Sequence, residues 1–468
     1  MRLAVLGCLC GLAAGLCPAA SLAGCTPVRW PWAEARTLEL LEPGTFDCLL
    51  IERAQCSAEF TSAARARGLR TLAIVRERAG LAESVSSALK AGLDGVVLQG
   101  DFDAPSVTEA ARHAPVAAIV PRRAMAGVAA ADVAGTAEAL WPSIRILGSD
   151  GAVAAGPSRG PWIDTNSGFL RFAAARTVWL ANVPPEGRAL RAEDYGIAMA
   201  DALLGGAVWV AALDHDLAAR LHAGDAQARA VWKRVGEYAR FARQQRAWLE
   251  LKPAGGVVVI QDEASGALYS GGLLDMLGTR HIPLRAYAPG AEARAAAESA
   301  ALVVDMPRWL ARSGSLMPAE GWRSPRAAGF ALEPKALTEA DYRQLSQLWD
   351  GVSFAVARRN LGVRVFNGSG MLSSLRAGGT RLTGEPLVQQ PCMLSSLRAG
   401  GTRSAVVLVN YTGYPVEAVT LQFPGAVKTA RLLAPGRQPV KLERYELEQG
   451  GTGVDVARME HLAIVVIE

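Results

Sequence analysis

The sequence has no basic tract. Its 49 Lys and Arg stand against 44 Asp and Glu, a formal charge of +5 spread along 468 residues. Scattered arginine lacks the concentrated positive face that neutralises a phosphate backbone, so nucleic acid is not an expected partner. No Cys/His run has the spacing of a zinc site, and no metal is expected. No glycine-rich phosphate loop is present either. Gly271-Gly272 is an isolated pair, and Ser270 lacks the Gly-x-Ser-x-Gly setting of an activated serine. No cofactor is expected. Beyond the N-terminus, no apolar stretch reaches the roughly 18 to 20 residues that span a bilayer.

The N-terminus reads as an export signal. Met1-Arg2 is a minimal positive region, Leu3 to Leu16 is an apolar run broken only by Gly and Cys, and Ser21-Leu22-Ala23-Gly24-Cys25 ends it. Leu22-Ala23-Gly24-Cys25 resembles a bacterial lipobox, in which the cysteine receives lipid. Residues 1–25 are therefore expected to be a signal peptide with lipobox, with Cys25 the lipidation site and the lipid the sole attachment to a membrane. Cleavage after Ala23 would instead leave a secreted protein. The protein is expected to be exported, as an outer-membrane or periplasmic lipoprotein or in secreted form. Of the seven cysteines, Cys8, Cys10 and Cys17 leave with the signal, so Cys48, Cys56 and Cys392 remain beside Cys25. Export permits disulfides, and Cys48–Cys56 is one pairing. The apolar setting of Cys48 reads more simply as a free core thiol.

Half the residues are hydrophobic and 20% are charged, enough for a large core, and the length suggests about two to four domains. From residue 45, short apolar runs alternate with helical stretches. Phe46–Ile51, Arg70–Val75, Gly95–Leu98 and Val116–Val120 read as strands, with helices over Ser57–Arg67, Leu81–Ala91 and Ser106–His113. Near-continuous apolar strands between amphipathic helices indicate a parallel sheet with covered faces. The period of about 22 to 25 residues suits a TIM-type (β/α) barrel, expected over 37–252. Ile144–Leu147, Thr177–Asn182 and Ala207–Leu213 continue the series, which has seven clear strands. A small flavodoxin or glutaminase-like α/β layer is expected over 253–360. It has no cysteine nucleophile and reads as structural or oligomerising. From 361, turns and alternating strands such as Ser404–Tyr411, Ala418–Phe423 and Leu462–Ile467 indicate a C-terminal β-sandwich over 361–468. Met371–Arg381 recurs as Met393–Arg403. Two copies do not make a solenoid; one copy is expected in a strand pair and the other as an extruded loop.

The loop Gly160-Pro161-Trp162-Ile163-Asp164-Thr165-Asn166-Ser167-Gly168 places a Trp, a carboxylate and an amide within five residues. An aromatic face stacks on sugar C–H bonds, while polar tips bond hydroxyls. Glycoside cleavage needs two carboxylates facing one bond, and barrel sites gather at the C-terminal strand ends. The carboxylates expected there are Glu52, Asp101, Asp103, Asp164, Asp214 and Asp216. The candidate catalytic residues are Asp101 or Asp164 with Asp214. Trp162, Asn166, Asn182 and His215 are the candidate substrate contacts. Asp214 and Asp216 also suit helix N-capping before Leu217.

Several segments resemble bacterial glycoside hydrolase-like barrel proteins: Gly100-Asp101-Phe102-Asp103, Gly160–Phe169, Val178–Pro185 and Trp209–Asp214. Val363–Asn367 and Leu408–Thr412 resemble their C-terminal β domain. The order of barrel, glutaminase-like layer and β-sandwich is similar to that of family 42 β-galactosidases. The resemblance implies an enzyme acting on an oligo- or polysaccharide, with a glutamate acid/base after strand four and a glutamate nucleophile at strand seven. Counted from Phe46, strand four ends Ile119-Val120-Pro121-Arg122-Arg123 and the seventh ends at Asp214-His215-Asp216. Neither carries the glutamate. The alternative is a glycan-binding lipoprotein whose barrel has lost catalysis.

Overall fold

The computed structural model describes residues 21–52, 57–139, 141–142, 145–149, 152–156, 166, 177–260, 281–298, 300, 302–305, 364–367, 371–378, 403–412, 414–423, 425–448 and 450–468. An eight-stranded parallel sheet forms the barrel. Its strands are β1 (Pro27–Arg29), β2 (Cys48–Glu52), β3 (Arg70–Val75), β4 (Gly95–Gln99), β5 (Val116–Ile119) and β6 (Val133–Thr136), followed by β9 (Val178–Leu180) and β10 (Val208–Trp209). Between β6 and β9, β7 (Arg145–Ser149) and β8 (Ala152–Gly156) form a separate antiparallel pair. The ring closes where Arg29 N–H donates to the Ala211 carbonyl at 2.7 Å and Ala211 N–H donates to Pro27 at 3.0 Å. The architecture is a TIM-type barrel.

Two strands were not evident in the alternation. β1 lies upstream of residue 37, and β6 lies in the stretch before Ile144. Each is short, and β6 contains Gly135. The stretch 144–147, expected as a barrel strand, instead overlaps β7 of the separate antiparallel pair. The strand count therefore shifts by one: Val116–Ile119 is the fifth barrel strand and Val208–Trp209 the eighth.

The barrel lumen is filled by Cys48, Leu50, Leu72, Ile74, Val97, Ala117, Ile119, Val133, Trp179, Ala181 and Val210. Leu22 and Cys25 belong to the same cluster. They plug the N-terminal end of the barrel from a short 3-10 turn, Leu22–Gly24. Arg70 and Arg246 donate to the Ser21 and Ala23 carbonyls at 3.0 and 2.8 Å and hold this turn in place. Cys25 and Cys48 form a disulfide. This corrects the expectation of a free Cys48 thiol. A thioether lipid would need the Cys25 sulfur that the disulfide uses, and the Cys25 side chain is buried.

Beyond the barrel, β12 (Val257–Ile260), β13 (Leu284–Tyr287) and β14 (Leu302–Asp305) form a parallel sheet with β12 central. The helix Ala291–Glu298 packs on it through Ala293 and Ala296. This is the small α/β layer. The β-sandwich follows. One sheet contains β16 (Met371–Gly378), β17 (Arg403–Asn410), β23 (Leu462–Ile467) and β19 (Ala430–Leu433), joined by the edge pair β11 (Lys252–Pro253) and β20 (Val440–Lys441). The facing sheet contains β15 (Arg364–Phe366), β18 (Val416–Phe423), β22 (Thr452–Met459) and β21 (Arg444–Glu446). Val406, Leu408, Val465 and Ile467 meet Leu421, Phe423, Val454 and Val456 between them. The first copy of the repeat supplies β16, which pairs along its length with β17. The second copy, up to residue 402, lies outside the described residues.

The opposite face of β17 and β23, through Val407, Val409, Ile464 and Val466, joins the core that surrounds the barrel. The helix Ala192–Gly205 lies there, buried on nearly every side. A helix that is apolar all round belongs between two layers, and this one lies between barrel and sandwich.

Candidate functional site at the C-terminal mouth of the barrel

Side chains alternate along a strand, so one apolar lumen position fixes its neighbours two residues away. On β2, Cys48 and Leu50 face the lumen, which puts Glu52 on the same row at the C-terminal end. On β3, Leu72 and Ile74 continue to Arg76, and on β4, Val97 continues to Gln99. On β1, Val28 and Trp30 face the outer core, so Arg29 faces inward. Four consecutive strands thus carry their apolar lumen rows into Arg29, Glu52, Arg76 and Gln99 at the end where barrel sites form.

Arg76 makes a two-pronged ion pair with Glu52, its Nη2 donating to Oε1 at 2.7 Å and its Nη1 to Oε2. Both side chains reach solvent, at 49% and 42% exposure. The pairing raises the Arg76 pKa. Arg29 lies lower, level with Leu50 in the β1–β2 register. Its Nε and Nη2 are buried without a hydrogen-bond partner among the described residues. Its pKa is pushed down to about 10, by burial first and then by Arg76, while Glu52 acts in the opposite sense. Gln99 Oε1 and Trp179 Nε1 are also buried without partners.

The remaining mouth residues are more conventionally engaged. Asp101 is exposed beside Gly100, whose φ of 132° lies outside the range side-chain-bearing residues prefer. Asp103 caps the helix Ala104–Ala111, accepting from the Ser106 amide at 3.0 Å and the Ser106 hydroxyl at 2.6 Å. These bonds, the hydroxyl's first, lower its pKa. Glu138 accepts from the Arg122 amide at 2.8 Å.

The expected site residues therefore separate. Trp162 and Asp164 lie outside the described residues. Asn166 is buried: its Nδ2 donates to Asp201 at 3.0 Å, and its Oδ1 accepts from Arg122 at 3.3 Å. Asn182 falls on the outward row of β9 and accepts from Trp209 Nε1 at 3.0 Å. Asp214 caps the helix His215–His222, accepting from Leu217 N–H at 2.9 Å. It also accepts from Leu190 N–H at 3.2 Å and the Tyr195 hydroxyl at 2.5 Å. Burial, then the bond to Asp214, drives the Tyr195 pKa upward. His215 is exposed in the first turn of that helix. Asp214 and Asn182 thus serve the layer outside the barrel. Glu52 is among the carboxylates expected at the strand ends, whereas Arg29, Arg76 and Gln99 are not among the expected site residues, because they read as ordinary polar residues at strand ends. Their signal was period-two spacing from apolar lumen positions.

No protein-family model matches the chain, and no curated protein matches it. Solved structures do. The α-L-fucosidase isoenzyme 2 from Paenibacillus thiaminolyticus matches over 93% of this chain and 95% of its own, at 11% identity and a TM-score of 0.53. The exo-carrageenase GH42 from Bacteroides ovatus matches over 88% and 55%, at 9% identity and a TM-score of 0.33. The glycoside hydrolase domain of PelA from Pseudomonas aeruginosa matches over 40% and 91%, at 14% identity and a TM-score of 0.27.

The structural neighbours are glycoside hydrolases. The fucosidase match establishes a shared fold and no more. The corrected strand count also moves the positions where the family 42 resemblance implies glutamates. The fourth strand, β4, ends Gln99-Gly100-Asp101, and the seventh, β9, ends before Ala181-Asn182. Neither is Glu. A cavity of about 210 Å³ lined by Glu39, Glu42, Phe46, Arg229 and Trp232 lies beside the start of β2, at the opposite end of the strands from this mouth.

Proposed function

We propose that the protein is an exported, glycoside hydrolase-like protein that takes an oligo- or polysaccharide at the C-terminal mouth of its barrel. The observation that carries this reading is the polar row Arg29, Glu52, Arg76 and Gln99, set on four consecutive strands of a fold shared with a fucosidase. Fold alone does not specify chemistry; the residues of this row do. If the protein cleaves glycans, the acid and base come from Glu52, Asp101, Glu138 or Asp164, two of which must flank one bond about 5 to 9.5 Å apart.

A second reading, glycan binding without cleavage, is favoured by Gln99 and Asn182 at the ends of the fourth and seventh strands. Asp214 adds to it, because its carboxylate is used in capping and in the bond to Tyr195. Export is supported by the apolar N-terminal run and by the Cys25–Cys48 disulfide, a cross-link that is favoured in oxidising compartments and rare in reducing ones. The expected lipid anchor and this disulfide compete for one sulfur, so the disulfide favours the unanchored form.

The deciding experiment is a glycan array on the full chain, with hydrolysis assays on the strongest hits. Binding with turnover establishes an enzyme and leads to Glu52→Gln, Asp101→Asn and Asp164→Asn. Binding without turnover establishes the second reading. Absence of binding across acidic and neutral glycans sinks the carbohydrate assignment.

A further inference from the structure

The guanidinium of Arg29 is an incomplete recognition element. Nε and Nη2 are the two donors on one edge of the fork, and both are buried without a partner among the described residues. That edge presents parallel N–H bonds spaced for the two oxygens of one anionic group. A buried cation without a partner is costly, and proteins normally pair such a charge or give it a ligand. Among the described residues, Arg29 has no hydrogen-bonding partner at Nε or Nη2, and Glu52 is engaged two-pronged by Arg76, so the charges of Arg29, Arg76 and Glu52 sum to one positive. Gln99 Oε1, on the same inward row, is an acceptor without a donor, suited to a sugar hydroxyl. Trp179 Nε1 is a further unpartnered donor in the lumen, and the residue is fully buried. Further along the same rows, Glu52 and Arg76 are half-exposed and reach solvent.

We propose that the barrel mouth binds an acidic glycan, with Arg29 holding the sugar's carboxylate or sulfate ester through its Nε–Nη2 edge and Gln99 accepting from a sugar hydroxyl. This rests on the carbohydrate reading above and adds the class of sugar. Arg29 is then a binding residue whose burial is unfavourable without ligand, a cost tolerated at functional sites.

The test is calorimetric titration of the full chain with three matched sets of oligosaccharides: uronate-bearing, sulfated and neutral. The protein is compared with Arg29→Met, Arg29→Lys and Arg78→Gln, the last removing an exposed arginine paired with Asp103. At least one acidic set binds tenfold or more tightly than the neutral set. The set that binds identifies the anion as carboxylate, sulfate or both. Arg29→Met weakens that binding by about 10- to 100-fold, the range expected for a hydrogen bond to a charged group. Arg29→Lys recovers it only in part, because an ammonium lacks the fork. Arg78→Gln leaves it unchanged. Arg29→Met keeps or raises the melting temperature, which a structural arginine would not do. If that variant fails to fold, Arg29→Lys carries the binding test. Equal binding of acidic and neutral glycans, or acidic binding indifferent to both Arg29 variants, overturns this inference and leaves the carbohydrate reading standing. No binding of any glycan overturns both.

Discussion

Tyr411 of the β-sandwich donates its hydroxyl hydrogen to Asp201 of the barrel-side helix at 2.6 Å. Asp201 is completely buried, and its second oxygen accepts from Asn166. One carboxylate thus joins the helix, the Asn166 loop and the sandwich. Removing the hydroxyl with Tyr411→Phe leaves a buried carboxylate short of a donor. The expected loss is about 1 to 3 kcal/mol of unfolding free energy, read from urea denaturation at neutral pH. A change within error would mean that this junction contributes nothing to stability.

Burial pushes the Asp201 pKa up to about 6, against the lowering effect of the Tyr411 and Asn166 bonds. The folded protein therefore holds this proton more tightly than the unfolded chain does. The stabilisation is fully present below about pH 4 and is lost as pH rises through about 6. Its size is about 3 kcal/mol, from a shift of some two units. Asp201→Asn removes the titration. The difference in stability between variant and parent should change in the variant's favour between pH 4 and 6 and then level off. Parallel pH profiles for the two proteins would contradict the assignment.

Asp214 is expected to act in folding. Asp214→Ala strips a helix cap and the acceptor of the buried Tyr195 hydroxyl, costing about 2 to 4 kcal/mol. Thermal unfolding checks this beside the glycan assays. A variant of unchanged stability that had lost hydrolysis would instead place Asp214 in the chemistry.

The Cys25–Cys48 disulfide makes a prediction about maturation. Protein recovered from an oxidising compartment should show, by peptide mass analysis without reduction, Cys25 and Cys48 joined. Cys48→Ala should cost about 2 to 4 kcal/mol, the usual range for such a cross-link. Lipid found on Cys25 would exclude the disulfide in that form of the protein, because both need the same sulfur.

Much of the architecture was legible as period. The unbroken apolar run Leu462–Ile467 and the alternation within Ala418–Phe423 mark strands because the first is buried on both faces and the second on one, a local property of the residues. The same holds for Cys48–Glu52 and Arg70–Val75, where an unbroken apolar run signals burial from both sides. β1 and β6 were not legible. Three or four residues containing Pro27 or Gly135 have no period, and they become strands only because their neighbours in the ring supply hydrogen bonds.

The site divides along the same line. Residue type alone made Asp214 and Asn182 plausible ligands, since carboxylates and amides at strand ends suit both capping and catalysis. Orientation decided between these roles. Tyr195 and Trp209 face the outer layer and draw Asp214 and Asn182 to them. By itself, then, the sequence determined the barrel, the α/β layer and the sandwich, because hydrophobic period is written in consecutive residues. Only the tertiary structure decided which polar groups line the mouth and which cysteines meet. Those facts depend on strand count, register and contacts between residues far apart in the chain, such as Arg76 with Glu52 and Asp201 with Tyr411.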